Sequence, residues 1–514
     1  MSDNHLTKAG EKSLTNYFTS DVGLLVFLAL FNILLHAIFN NNYGFHRDEL
    51  ATIDDARYLA WGYVAYPPVT PFIARLAFAL FGDSLVGLRF FGALAIGIAM
   101  VLSGLMARAL GGSRFAQLLA ALGVAVAPIC IIQGSLFQYV SFDYLCWVCI
   151  AFLMIKLLQT DNPRWWLGIG AFIGIGMLTK YTVALFVIGI VVGVLATRAR
   201  RYLKSPWLWA GVAVSLIIWL PNIVWQIQHQ FISIDFMRSI HERDVAIGRT
   251  QNFIAEQFFI CTNFVTVPLW LAGLWFYAKH PLGARFRAVF WMFVIPLILF
   301  IFLQGRSYYF APAYPMLFAA GGILCERGIN SRSLNFARLI RAGIIIILLG
   351  GGAIFSLVLM PIAPVNSALW RKSAAMQDNF VEEIGWRELT ETVAAIYNNL
   401  PDDEKSQAGI LAGNYGEAGA INLYGTDYGL PKVISTTNSY WLRGYGEPAP
   451  QTLIVVGYSQ AKVGELFESC RLAGQITNQY AVENEETRVH KNIFVCRGLR
   501  ESWEEFWKIH RSFS

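Results

Sequence analysis

Residues 22–39 read VGLLVFLALFNILLHAIF, a run of eighteen residues without Asp, Glu, Lys or Arg. A helix of this length and composition is long enough to cross the hydrocarbon core of a bilayer. Similar runs recur along the chain, which has 514 residues and is 56% hydrophobic and only 14% charged. Soluble domains carry about 25% charged residues. The sequence therefore predicts an integral membrane protein, and it predicts a retained first helix because no small-residue cleavage site follows residues 22–39.

Eleven apolar segments of the chain are predicted as transmembrane helices. They are residues 22–40, 86–108, 115–133, 141–158, 165–179, 181–197, 207–225, 261–278, 288–304, 308–325 and 342–361. The region after residue 361 is polar, with strand-like runs at Thr452–Val456 and Asn492–Val495 and a helical pattern over 381–399. The predicted fold class is a multi-pass α-helical membrane domain, residues 1–361, followed by a small α/β domain, residues 362–514.

The distribution of Lys and Arg between alternate loops predicts the orientation of these helices. Short basic loops, such as the one at residues 198–204, form one set, which the positive-inside rule places in the cytoplasm together with the N-terminus. The segments 41–85 and 226–260 belong to the other set, and an odd number of spans places the C-terminal region with them outside. The net charge of +6 comes largely from the short loops, so it does not indicate a nucleic-acid partner.

Two of the seven cysteines stand apart from the rest. Cys470 and Cys496 lie in the polar C-terminal region, whereas the other five fall in or next to apolar segments and are expected to be packing residues. An extracytoplasmic C-terminal region would allow Cys470 and Cys496 to form a disulfide bond. The sequence leaves open whether they pair.

The first outer segment, residues 41–85, contains the motif Gly44-Phe45-His46-Arg47-Asp48-Glu49. A helix is predicted from there to Trp61, the pair Pro67-Pro68 makes a stiff turn, and a second helix follows from about Val69 to Phe81. Both helices are expected to lie in the membrane interface. Asp48 has two interpretations, a helix cap or a general base toward an acceptor hydroxyl, and its own context favours the cap.

Three further charged residues depart from what membrane helix ends normally carry. Asp143 begins the fourth predicted span, where a carboxylate close to hydrocarbon is costly, so a helix cap and a functional group are equally good interpretations. Lys180 and Arg306 are cations on the outer side, against the positive-inside trend. Together with Arg47, Arg57 and Arg75 of the first outer segment, they predict a site for a phosphate at the membrane surface.

Several short motifs recur in an order that resembles a known family. They are His46-Arg47-Asp48-Glu49, Gly62-Tyr63, Pro67-Pro68, Phe81-Gly82-Asp83-Ser84, Leu178-Thr179-Lys180-Tyr181, Pro221-Asn222, Trp225-Gln226 and Arg306-Ser307-Tyr308-Tyr309. The set resembles the bacterial branch of the GT-C glycosyltransferases, which includes protein O-mannosyltransferases and aminoarabinose lipid A transferases of the family 39 type. The resemblance covers nearly the whole chain.

This resemblance implies a polyprenyl-phosphate-linked sugar as donor, an envelope acceptor such as lipid A or a core glycan, and a location in the bacterial inner membrane. It assigns Asp48 as the base with Glu49 supporting it, and Asp143 as the second catalytic carboxylate. Donor phosphate would be held by Lys180, Arg306, Arg57 and Arg75, and His46, Tyr66, Tyr308 and Tyr309 are expected to contact substrate. The sequence shows no spacing typical of a dedicated metal site, so a divalent cation is optional.

Other functions remain as alternatives at this stage. A protein O-mannosyltransferase would use the same type of donor with a protein acceptor, and a polysaccharide ligase or polymerase would use a lipid diphosphate. A transporter of lipid-linked sugars belongs to another class, and transporters place polar groups near the bilayer midplane. The apolar midspans of this chain argue against a transporter. The retained Asp48, Glu49, Asp143 and Lys180 argue against an inactive binding scaffold.

Overall fold

The computed structural model describes residues 20–514, so the cytoplasmic location predicted for the first nineteen residues lies outside the described part. Most of the chain is helical. The helices, numbered in chain order, are α1 (Asp21–Phe39), α2 (Arg47–Arg57), α3 (Val69–Phe81), α4 (Leu85–Ala109), α5 (Arg114–Ala125), α6 (Pro128–Gly134), α7 (Tyr139–Thr160), α8 (Trp165–Met177), α9 (Val183–Ala196), α10 (Pro206–Gln228), α11 (Ile232–Ala246), α12 (Phe253–Glu256), α13 (Val267–Ala278), α14 (Arg287–Phe302), α15 (Tyr314–Asn330), α16 (Leu334–Leu359), α17 (Ala368–Met376), α18 (Asn379–Glu382), α19 (Trp386–Asn398), α20 (Asp402–Lys405), α21 (Tyr415–Tyr424), α22 (Asn438–Trp441), α23 (Gln460–Leu466), α24 (Glu485–Val489) and α25 (Trp503–Ile509).

Each predicted span coincides with helical structure, but the number of full spans is smaller than eleven. Within residues 20–514, six helices are long and apolar enough to cross a membrane, and the number rises to nine if three bent helix pairs each count as one span. The three pairs bend by 66°, 100° and 93°. Helix α8 has only 13 residues, fewer than a full crossing needs. A multi-pass helical membrane protein is therefore confirmed, and the count of eleven is confirmed only in part.

The chain divides into two compact units. The first contains Met1–Phe39, Arg89–Ile223 and Asp244–Met360, and its described part holds the membrane helices. Small residues allow close helix packing there, as they do in other membrane proteins. A Cβ atom at Gly273 of α13 would lie 2.0 Å from the carbonyl oxygen of Leu317 in α15, and one at Gly321 would lie 1.8 Å from that of Leu269. Only glycine fits at these two positions.

The second unit contains Asn40–Leu88, Val224–Arg243 and Pro361–Ser514, so it takes in more of the chain than the predicted C-terminal domain. Its centre is a five-stranded sheet, made of β1 (Ala408–Ala412), β2 (Val433–Ile434), β3 (Thr452–Val456), β4 (Phe467–Gln475) and β5 (Asn492–Leu499), in the order β2-β1-β3-β5-β4. Strand β1 runs parallel to β2 and β3, and β5 runs antiparallel to β3 and β4. The predicted α/β character of the C-terminal region is confirmed.

Helices α2 and α3 confirm the two helices predicted in the first outer segment, although α2 ends four residues before Trp61. Seven of the eleven residues of α2 are buried, including Leu50, Asp54 and Asp55. A helix lying in a membrane interface would keep its polar face in water. Helix α2 is instead packed inside the second unit, because its carboxylates find partners there.

Cys470 of β4 and Cys496 of β5 are opposite each other across the sheet and form a disulfide bond. The remaining five cysteines are free thiols.

We expect a maleimide reagent to modify five cysteines of the denatured protein before reduction and seven after it. On the chain-entropy model, replacing both Cys470 and Cys496 by Ala lowers the free energy of unfolding by about 3.5 kcal/mol for a separation of 26 residues. Modification of all seven cysteines without reduction would contradict this pairing.

Candidate functional site

In the first unit, Lys180 lies in the turn between α8 and α9 and is held by aromatic rings. Its ammonium nitrogen is 3.9 Å from the ring centroid of Tyr139 and 4.8 Å from that of Tyr309. The hydroxyl groups of the two tyrosines are 3.0 Å apart. Ring faces attract a cation electrostatically. The Lys180 ammonium group is therefore fixed in a half-buried position, as a phosphate ligand needs to be.

Asp143 lies one helical turn after Tyr139, in the first part of α7, and only 2% of its surface is exposed. Its Oδ2 accepts a hydrogen bond of 3.1 Å from the Thr182 hydroxyl, and Lys180 is close enough for a favourable charge interaction. Within residues 20–514, Oδ1 of Asp143 has no hydrogen-bond partner. A buried carboxylate oxygen without a partner is costly, so this atom is suited to accept a hydrogen bond from a bound substrate.

Arg306 is also in the first unit, but its guanidinium already has a carboxylate partner. Nε and Nη2 donate to the two carboxylate oxygens of Asp244 at 2.6 and 2.8 Å, and Nη1 donates to the Tyr308 hydroxyl at 2.9 Å. This is the forked geometry with which arginine binds a phosphate. The rings of Tyr308 and Tyr309 are 4.5 Å apart. The first unit thus brings together Asp143, Lys180, Arg306, Tyr308 and Tyr309, all of which the sequence analysis selected.

In the second unit, His46 begins helix α2 as its N-cap, and Glu49 completes a capping box. The His46 Nδ1 accepts from the backbone N–H of Asp48 at 3.2 Å, and the Glu49 carboxylate accepts from the backbone N–H of His46 at 2.8 Å. His46 and Glu49 are both buried. The cap is therefore supplied by His46 and Glu49 rather than by Asp48, so the capping interpretation of Asp48 is wrong.

Asp48 keeps an accessible carboxylate. Its side chain is 39% exposed, and Oδ1 accepts a hydrogen bond of 2.8 Å from the hydroxyl of Tyr415, the first residue of α21. The other carboxylate oxygen is 3.9 Å from His46 Nδ1. An oriented carboxylate with one side open to solvent has the arrangement that a general base requires.

The other end of α2 is held by Arg443, a residue for which the sequence analysis gave no role. Arg443 forms ion pairs with both Asp54 and Asp55, and its guanidinium is 4.6 Å from the ring centroid of Tyr58. Tyr66, which the sequence predicted as a substrate contact, is buried and donates to Asp55 at 2.6 Å. Burial raises the pKa of Asp55 to about 6, while Arg443 and the Tyr66 hydrogen bond act in the opposite direction. Tyr66 is thus part of the support of α2.

The two remaining predicted phosphate ligands, Arg57 and Arg75, are both in the second unit. Arg57 Nη1 donates to the backbone carbonyl of Asn422 at 2.7 Å, and its side chain lines a cavity of about 330 Å³ together with Lys432. Arg75 is exposed on α3. The structure thus assigns Arg57 and Arg75 to the second unit and Lys180 to the first.

A metal site requires several ligating side chains close together. Within the described residues, 20–514, no group of three or more His, Cys, Asp or Glu side chains has the geometry to hold a metal ion. A divalent ion would need several oxygen ligands.

Comparisons with known proteins agree on one superfamily. A family model described as dolichyl-phosphate-mannose-protein mannosyltransferase matches residues 65–225. The solved structure of ArnT from Cupriavidus metallidurans bound to undecaprenyl phosphate covers 92% of this chain and 97% of its own, with a TM-score of 0.55 and 16% identity. The chain shares the fold of this GT-C structure. The apo oligosaccharyltransferase from Archaeoglobus fulgidus shares the fold at a TM-score of 0.54 and 13% identity, covering 81% of this chain and 64% of its own.

Among curated proteins, the chain matches the lipid A galacturonosyltransferase RgtD of Rhizobium johnstonii. The two are 27% identical over 272 residues, which is 49% of this chain and 55% of the relative. The match thus spans about half the length of that relative. It points to the same group of membrane glycosyltransferases as the family model.

The structure also adds residues that the sequence analysis did not select. Tyr139 is four residues before Asp143, a spacing that puts both on one face of a helix and is visible in the sequence. Tyr415 and Arg443 contact Asp48 and Asp54 across separations of 367 and 389 residues. Local periodicity carries no signal for contacts at such separations.

A group of acids surrounds Arg47 in the second unit. Arg47 pairs with Glu382 at 3.7 Å and with Glu485. Burial raises the pKa of Glu382 to about 7, with Glu486 adding to the rise and Arg47 opposing it. Burial likewise raises the pKa of Glu417 to about 8, with Glu486 again adding to the rise and backbone N–H groups opposing it. These acids hold their protons to higher pH in the folded chain than in the unfolded chain.

The stability of the second unit is therefore expected to depend on pH. The unfolded chain releases the Glu417 proton near its ordinary pKa of 4.5, whereas the folded chain holds it to about pH 8, so the contribution to stability is complete below 4.5 and is lost as the pH rises to about 8. Glu417→Gln keeps an oxygen that accepts from the backbone and removes the titration. We expect the thermal midpoint of this variant to fall less steeply between pH 4.5 and 8 than that of the wild type.

The exposed Glu504 provides the control for this measurement. Glu504→Gln should leave the slope of the thermal midpoint against pH unchanged. Equal slopes for Glu417→Gln and the wild type would show that Glu417 does not titrate in this range.

Proposed function

We propose that this protein is an inverting glycosyltransferase, which transfers a monosaccharide from a polyprenyl-phosphate carrier to a hydroxyl group of an envelope glycan such as lipid A or core glycan. The observation that carries the proposal is the charged Lys180, held over two tyrosine rings in the first unit, in a fold shared with a transferase solved with undecaprenyl phosphate. A cation fixed in this way supplies the interaction that a lipid phosphate requires.

The chemistry follows from the charges of the reactants. The acceptor oxygen attacks the anomeric carbon on the side opposite to the phosphate, the bond from that carbon to the phosphate oxygen breaks, and the hydroxyl proton passes to the Asp48 carboxylate. The sugar phosphate diester carries one negative charge, whereas the polyprenyl phosphate that leaves gains a second one. Lys180 therefore stabilises the transition state more than the bound donor.

The proposed roles differ between the carboxylates. Asp48 accepts the proton because its side chain is both oriented and accessible. Asp143, with one buried carboxylate oxygen without a partner in the described chain, hydrogen-bonds a substrate hydroxyl. Glu49 keeps the start of α2 in place through its capping bond.

We propose the bacterial inner membrane as the location, with the C-terminal residues on its extracytoplasmic side. The disulfide between Cys470 and Cys496 supports this side, because disulfides persist in oxidising compartments and are rare in the cytosol. The excess of Lys and Arg in the opposite set of loops supports the same orientation.

The family model that matches residues 65–225 favours a second acceptor class, a protein hydroxyl. The curated relative that acts on lipid A favours a glycolipid. Membranes containing the protein should be offered polyprenyl-phosphate sugars with either lipid A or a Ser/Thr-rich peptide. Transfer to lipid A supports the first proposal, and transfer to the peptide alone would replace it with the second.

The role of Asp48 is tested by Asp48→Asn, which keeps the size of the side chain and its bond from Tyr415 but removes the base. We expect transfer to fall at least 100-fold, within the range that a general base contributes, with unchanged expression and thermal midpoint. The control is Asp403→Asn, an exposed acid of the same unit. Undiminished transfer by Asp48→Asn would remove Asp48 as the base.

The role of Lys180 is tested by Lys180→Gln. Because the phosphate gains charge during the reaction, we expect kcat to fall by more than the KM for the donor rises, with a loss of at least tenfold in kcat. The exposed Lys279→Gln is the control for loss of a positive charge in the same unit. A rise in donor KM with unchanged kcat would instead assign Lys180 to uniform binding.

A further inference from the structure

The contact between Tyr415 and Asp48 depends on an unusually close approach of helices α2 and α21 in the second unit. A Cβ atom at Gly419 would lie 2.7 Å from the backbone carbon of Leu50, and one at Gly416 would lie 2.9 Å from the Cβ of Arg47. Side chains larger than hydrogen would force the two helices apart. The glycines therefore allow the Tyr415 hydroxyl to reach within 2.8 Å of the Asp48 carboxylate.

The Tyr415 ring is itself held from its other side. The guanidinium of Arg47 is 5.0 Å from the ring centroid, and Arg47 is tied to Glu382 and Glu485 by ion pairs. These acids come from α18 and α24, both in the C-terminal part of the chain. Four segments of the second unit thus fix the position of a single phenol hydroxyl, which is more support than an ordinary surface hydrogen bond receives.

We propose that Tyr415 is a positioning residue for transfer, which holds the Asp48 carboxylate in its reactive orientation and in its charged form. The proposal rests on the proposed function, since it needs Asp48 to be the base. It assigns a catalytic purpose to the C-terminal region, whose role the sequence left open. A hydrogen bond donated to a carboxylate favours the charged state, which is the state that can accept the acceptor's proton.

The test is the pH dependence of kcat/KM for transfer by Tyr415→Phe, measured with the full-length protein in membranes. Loss of the donated hydrogen bond should move the acidic limb of the profile to higher pH by about one unit. The rate at pH values below the limb should fall about tenfold relative to the wild type, and the rate on the plateau should change less. A purely structural role of the phenol would lower the rate equally at all pH values.

Tyr428→Phe is a matched control, because Tyr428 also donates from its phenol to a carboxylate of the second unit, that of Glu391 at 3.1 Å. Its profile should coincide with that of the wild type. Thermal midpoints of both variants show whether either is misfolded, and Tyr415→Trp, which retains an aromatic ring without the hydroxyl, provides a second variant if Tyr415→Phe is unstable.

The outcomes separate this inference from the proposed function. An unmoved acidic limb in Tyr415→Phe, together with loss of transfer in Asp48→Asn, would overturn the positioning role and leave the transferase proposal intact. Undiminished transfer by Asp48→Asn would overturn both the base and its positioning residue. A shift of the limb in Tyr415→Phe and not in Tyr428→Phe supports the inference.

Discussion

The packing of α2 against α21 is the interaction on which the second unit depends. It joins residues that are more than 360 positions apart in the chain, and it is possible only because Gly416 and Gly419 have no side chain. Close packing of this kind gains dispersion contacts along both helices. It also places a polar group of the C-terminal region directly on the exposed carboxylate of the first outer segment.

This packing also explains why so many charges are buried in the second unit. Asp54 and Asp55 lie inside it because Arg443 pairs with both, and Arg47 is surrounded by acids of the C-terminal region. Removing one partner of a buried pair leaves the other uncompensated and costs about 3–5 kcal/mol. The charges on α2 therefore tie its position to the C-terminal residues, and a helix that carries the proposed base is held at both ends.

The sequence predicted those features that depend on local pattern. Apolar length located the candidate membrane helices, and a short strand-like run located Thr452–Val456, which is strand β3. The proline pair located the start of α3 at Val69. Five polar residues stood out in the sequence because each lies near the end of an apolar helix. These residues, Asp143, Lys180, Arg306, Tyr308 and Tyr309, all lie in the first unit. The count of eleven spans is confirmed only in part, because helix bends and short helices are not visible in hydropathy.

Contacts between segments distant in the chain could not be predicted from the sequence. Tyr66, which the sequence predicts as a substrate contact, donates a hydrogen bond to Asp55, and Glu49 caps α2 through its carboxylate. Arg306 was predicted as a ligand of the donor phosphate, and in the structure it forms an ion pair with Asp244. In each case the residue type was informative, but its partner depends on the tertiary fold. The hydrogen-bond partners of such side chains can be assigned only when the tertiary structure is known.

In the proposed reaction, the sugar is transferred from a polyprenyl monophosphate carrier with inversion of its anomeric configuration. The most direct measurement is an analysis of both products after transfer from a polyprenyl-phosphate sugar of known anomeric configuration, with mass spectrometry of the lipid and NMR of the glycan. We expect a polyprenyl monophosphate and a glycosidic bond of the opposite anomeric configuration. Release of a lipid diphosphate or retention of the donor's configuration would contradict it.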